Sequence, residues 1–162
     1  MFGTKTSGTK SQVTTHQIGE YLKRLNWNEF KEIPEESEKE GLVVTGWMGQ
    51  GVLIDPMVEK HLIQFRALKV ASAPPDSTPA ARLNNLLFAL AGLNHKMLMG
   101  TWYYDRKDGE VGLSVCVPIH DGLSFEAFEH CLTTVLMPQF MVFGPQLRNL
   151  IAGETSVEAI LD

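Results

Sequence analysis

Cys116, His120, His130 and Cys131 are side chains of types that hold metals or act as nucleophiles. Zinc takes thiolate and imidazole ligands in tight knuckles, whereas these fall as C-x3-H followed, after nine intervening residues, by H-C. Adjacent His130 and Cys131 on a helix would point about 100° apart, too far to share one ion easily. With Asp121 the same group could be drawn as a Cys-His-Asp nucleophile set. A reactive thiol needs a nearby base and positive surroundings, and no Lys or Arg lies close in sequence. Buried or half-buried structural cysteines are the expected reading. Gly46, Gly49 and Gly51 run G-x-x-G-x-G, the reverse of the dinucleotide fingerprint, with no helix following to face a phosphate. A turn at Gly49-Gln50-Gly51 fits better. Asp105 to Glu110 lacks the acidic spacing of a calcium loop. His16, His61 and His95 stand singly. Asn84, Asn85 and Asn94 could line a polar pocket, but Asn94 suits helix termination and the other two a helix flank. No catalytic residue, metal or cofactor is expected.

Binding offers more. From Val111 to His120, Val111, Leu113, Val115, Val117 and Ile119 point one way and the alternate residues the other, so one face is core. Its hairpin partner is apolar on both faces, because Met97, Met99 and Tyr103 alternate with Leu98, Trp102 and Tyr104. A sheet with helices on one side only would leave Trp102 and Tyr104 in water, and exposed aromatic clusters mark contact surfaces. Trp47 and Arg66 could join that face. The opposing reading has the last helix cover the aromatics within the chain. As a surface, it would serve first for self-association and then for capture of a protein or peptide partner by the sheet or its edge.

The elements that must position these residues follow from periodicity and punctuation. Residues 1–13 are rich in Gly, Ser, Thr and Lys and predict a flexible N-terminal tail. Thr14 and Gln17 fit a capping box, and Ile18, Tyr21, Leu22 and Leu25 carry a helix to about Asn26. Trp27 to Ile33 and Leu42 to Met48 read as antiparallel strands around the acidic loop 34–41. Val52-Leu53-Ile54 and Lys60 to Val70 extend the sheet beyond the Asp55-Pro56 interruption. After the connection 71–78, Ser77 or Thr78 can cap a helix with Pro79 in its first turn, its stripe being Leu83, Leu86, Leu87, Leu90 and Leu93. Met97 to Asp105 and Glu110 to His120 form a hairpin in which Gly109 supplies positive φ. Ser124 caps the last helical region, Leu123 and Phe128 staple it, and Pro138 and Gly144-Pro145 break it into segments ending before Gly153. Residues 154–162 read as a C-terminal tail. The order is helix, three or four strands, helix, two strands, helix. It predicts an α+β domain over 14–153, an antiparallel sheet with packed helices.

The 162 residues suit one domain with a proper core. Net charge is −5, with +3 over residues 1–28 and −4 over 29–40. That argues against a general nucleic-acid binder. No run approaches the roughly 20 apolar residues of a membrane helix, and MFGTKTSGTKSQV lacks the apolar block of a secretory signal. A cytoplasmic protein is expected, and two cysteines call for no oxidising compartment.

The segment Ala81-Arg82-Leu83-Asn84-Asn85-Leu86-Leu87 to Gly92-Leu93-Asn94, with Met99-Gly100-Thr101-Trp102-Tyr103-Tyr104-Asp105, Gly109-Glu110-Val111 and the Leu123-Ser124 helix start, resembles the YbjN-like family. The resemblance runs from about 14 to 153 in element order and is densest between Leu83 and Leu123. It implies a fold similar to type III secretion chaperones, often dimeric, that binds protein or peptide and performs no chemistry. The expected function is therefore a non-enzymatic protein-binding module, chaperone-like or a regulatory adaptor; a small-molecule sensor or minor enzyme, with a pocket between the Leu83 to Met97 helix and the sheet, is the competing expectation.

Overall fold

The computed structural model describes residues 13–33 and 41–162. Most of the tail expected at 1–13 and of the acidic loop expected at 34–41 lies outside the described residues. Helix α1 (Thr15–Arg24) opens on Thr14, whose side chain accepts from Gln17 N at 3.2 Å. The capping box is not reciprocal, because Gln17 Nε2 donates instead to Tyr21 Oη and Leu123 O. Asn26, at φ 60°, turns the chain out of the helix. Trp27 is then buried before the strand begins, so β1 is only Phe30–Ile33.

Strands β2 (Leu42–Trp47) and β3 (Gln50–Asp55) are joined by Met48-Gly49, both at positive φ. This is the two-residue turn that matches strand twist, set one residue earlier than Gly49-Gln50-Gly51. After a 3-10 turn at Val58–Lys60, β4 runs Leu62–Ser72. Helix α2 (Ala80–Lys96) starts after Pro79, which itself occupies the cap position, so neither Ser77 nor Thr78 does. Its buried residues are Leu86, Ala89, Leu90 and Leu93, while Leu87 and Phe88 stand out in solvent. The apolar stripe is rotated toward Ala89, whose small side chain lets the helix approach its neighbours.

Strands β5 (Thr101–Asp105) and β6 (Glu110–Pro118) make the expected hairpin, with Gly109 at φ 74° packed against Pro74. Ser124 caps α3 (Phe125–Glu129), accepting from Ala127 N at 3.1 Å. No break follows at Pro138. A π-helical segment (His130–Leu136) leads directly into α4 (Met137–Ala152), with Pro138 in its first turn and Pro145 inside it. The wider π turn resets the carbonyl register just ahead of Pro138, so its missing N–H costs little there. Gly153 ends α4 at φ 81°, and Glu154 N bonds back to Asn149 O at 2.8 Å.

The expected C-terminal tail is instead a helix, α5 (Val157–Leu161), capped by Ser156. Its Ile160 is buried, and Leu161 lies against Gly92 of α2 so closely that a β-carbon there would collide with it. The six strands form one antiparallel sheet in the order β1-β2-β3-β4-β6-β5. The architecture is α+β, as the element order implies.

Candidate protein-binding face

Register decides which side chains the sheet presents. One row across all six strands is Phe30, Thr45, Val52, Ala67, Leu113 and Trp102. All but the half-buried Phe30 are buried in this row, which faces the helices. The next row is Lys31, Val44, Leu53, Arg66, Ser114 and Thr101. No residue of that second row is buried, and none of the described helices covers it. Val44 and Leu53, with Leu68 one row over, leave an apolar stripe across β2, β3 and β4.

The expected surface set is not one surface. Trp102 is 2% exposed and belongs to the core row, opposite Leu113. Tyr104 shares that side and donates its hydroxyl to Ala73 O at 2.7 Å. Trp47 also lies on the helix side, stacked on Trp27 at 4.8 Å between ring centroids. Arg66 alone of the four faces the open side. Trp102 is thus covered within the chain, but the helix packed against β5 is α2 and not the last one. Asn94 does not end α2, which runs on to Lys96; its side chain instead accepts from the N–H of Trp102 (2.7 Å) and donates to its carbonyl (2.9 Å). That occupies the free edge of β5, which would otherwise offer unpaired backbone groups.

The outward aromatic is Tyr103. It sits opposite Gly112 and lies so close over it that a β-carbon at Gly112 would collide with the phenol. Its hydroxyl donates to Glu110 Oε1 at 3.2 Å. Burial, and then the Glu110 carboxylate, push the Tyr103 phenol up to about 12. Beside it, Gln64 Nε2 donates to Ser114 Oγ at 2.8 Å. Arg66 Nε is buried and has no hydrogen-bond partner, a donor left over on an apolar surface.

The residues considered for metal or nucleophile chemistry are dispersed. Cys116 is exposed on the open face, whereas Cys131 is in the core, where burial raises its thiol pKa. His120 packs near His61, with ring centroids 5.3 Å apart. Among the described residues, one cavity beside the helices lies among Trp47, Lys69, Phe140 and Arg148, and another among Met97, Met99, His130 and Val135. Neither is between the body of α2 and the sheet, where the competing expectation places a pocket.

Residues 14–137 match the YbjN family, described as "Putative bacterial sensory transduction regulator". The chain belongs to the YbjN family. No curated protein matches it. Among solved structures, YbjN from E. coli is similar with a TM-score of 0.50 at 14% identity, over 90% of this chain and 87% of that one. The ExsC–ExsE complex contains a similar chain, with a TM-score of 0.56 at 19% identity over 80% and 89%. An uncharacterized protein from Methanothermobacter thermautotrophicus reaches 0.58 at 13% identity over 87% and 98%. At such identities the likeness is one of fold, and it agrees with the α+β architecture of this YbjN family member. Among the described residues, no helix is long and apolar enough to cross a membrane.

Proposed function

We propose that this YbjN family member is a cytoplasmic protein-binding module, a chaperone-like or regulatory adaptor without catalytic chemistry of its own. The observation that supports this is the open sheet face, where Val44, Leu53 and Leu68 border the unpartnered Arg66 Nε. The chemistry fits an extended segment that places apolar side chains on the stripe and a carboxylate beside Arg66. Burying Arg66 without such an acceptor would be costly, so the cation selects among apolar segments. The solved ExsC–ExsE pair, a complex on a similar fold, is consistent with partner binding.

Affinity capture after cross-linking in the native lysate tests this, with Leu53→Ser/Arg66→Glu as the comparison variant. The wild-type chain is expected to retain one dominant partner, and the variant, with unchanged circular dichroism, to lose it. A partner held equally by the folded variant would contradict the reading.

The chain also self-associates in this proposal, through the outer ridge of α2. Phe88 is 74% exposed there, next to exposed Leu87 and one turn from exposed Ala91. Light scattering should give a dimer for the wild type and a monomer for a folded Phe88→Glu variant. A wild-type monomer at high concentration would rule the dimer out.

A further inference from the structure

A cavity of about 580 Å³ opens on the helix side of the sheet, where the β2–β3 hairpin, the second half of β4 and α4 meet. Its wall is built around an irregularity. β4 slips register against β6 between Ala67 and Ala71, and Lys69 within the slip has φ 50°. A bulge turns backbone groups away from the ladder, and each needs another partner. Three side chains supply them: Gln50 Nε2 donates to Leu68 O, Glu110 Oε1 accepts from Lys69 N at 3.1 Å, and Arg148 Nη1 donates to Val70 O at 2.7 Å. The bulge is thus fastened from three sides, with the exposed Lys69 and Arg148 both in the cavity wall.

The remaining lining is mostly apolar. Trp47, Val70 and Phe140 contribute surface, and the exposed Met48 and Met141 form an adaptable rim. Among the described residues both charged members of the lining are cations, and no carboxylate lines the cavity. Trp47 Nε1 is a further donor, buried without a partner.

We infer that this cavity binds a carboxylate carried on a compact apolar body, such as an aryl or medium-chain alkyl acid. Lys69 and Arg148 hold the carboxylate, and Trp47, Val70 and Phe140 receive the hydrocarbon. The volume suits a small organic ligand, and apolar walls with a few placed polar groups are what such sites have. A neutral apolar ligand would bury two cations without compensation. A phosphate would want a helix N-terminus or a nest of N–H groups, whereas α4 contributes residues from its interior here. The cavity lies on the opposite side of the sheet from the proposed partner face, so the two sites are separable.

The test titrates 3-phenylpropionate and octanoate into the ¹⁵N-labelled full chain and follows the Trp47 indole N–H, identified with Trp47→Phe. Saturable shifts are expected, weakened roughly tenfold when 3-phenylpropanol or octanol replaces the acid. Lys69→Gln, a change at an exposed side chain, should weaken the acids by a similar factor and leave the alcohols unchanged. N-acetylphenylalanine distinguishes the sources of the carboxylate: binding as tight as that of phenylpropionate supports a peptide terminus, and weaker binding a free acid. Alcohols that bind as tightly as acids, acids indifferent to Lys69→Gln, or an unmoved Trp47 signal would each overturn the inference. None of these outcomes bears on partner capture, which the Leu53/Arg66 variant tests on the other face.

Discussion

Tyr103 gives the open face a pH dependence whose sign can be worked out. Its phenol is raised from 10.0 to about 12 in the folded chain, chiefly by burial and then by Glu110. An acid whose pKa rises on folding is stabilised in its neutral form. That contribution is complete below about pH 10 and is lost as pH climbs toward 12. Urea midpoints for Tyr103→Phe should therefore fall less steeply than wild type between pH 10 and 12. Parallel curves would remove Tyr103 from the titration. Tyr103 also carries a signal that is present in the sequence itself. The turn at Arg106 to Gly109 pairs Asp105 with Glu110, and counting back sets Tyr103 against Gly112 and Trp102 against the core residue Leu113. An aromatic opposite glycine was the available signal for the outward ring. Apolarity on both faces of the strand hid it, because alternation alone assigns no direction.

Among the elements, α5 makes the most direct stability claim. Ile160 is buried, and its helix packs on α2, where Gly92 leaves room for Leu161. Ile160→Ala should cost about 2 kcal/mol, read as a lower urea midpoint at unchanged slope. An unchanged midpoint would mean that the end of the chain contributes nothing to the fold. The segment is too short and polar at its start to signal a helix, and Ser156 gains meaning as a cap only once Ile160 has a surface to meet. Strands and the two long helices were legible because each carries its own period and punctuation. The π segment was not: Pro138 reads locally as a breaker, and only the register change before it reconciles proline with a continuing helix. Leu87 and Ala89 exchanged places for a similar reason. Spacing finds the stripe to within one residue, while close packing chooses the small side chain.

At the scale of the whole molecule, the helices cover one side of a six-stranded sheet and leave the other to the strands alone among the described residues. An antiparallel sheet can expose one face to water, but that face is then ordinarily polar. Here it carries Val44, Leu53 and Leu68 around Arg66, which is the composition of a contact surface. The α2 ridge, the bulge cavity and the open face occupy three separate places, so a dimer, a small acid and a protein partner need not compete.

Site-specific photo-cross-linking tests the central claim most directly. Benzoylphenylalanine would be placed at Leu53 on the open face and, in a separate chain, at Ala159 on α5. The account expects a partner adduct from position 53 and none from 159. An adduct from 159, with none from 53 in an equally folded chain, would contradict it.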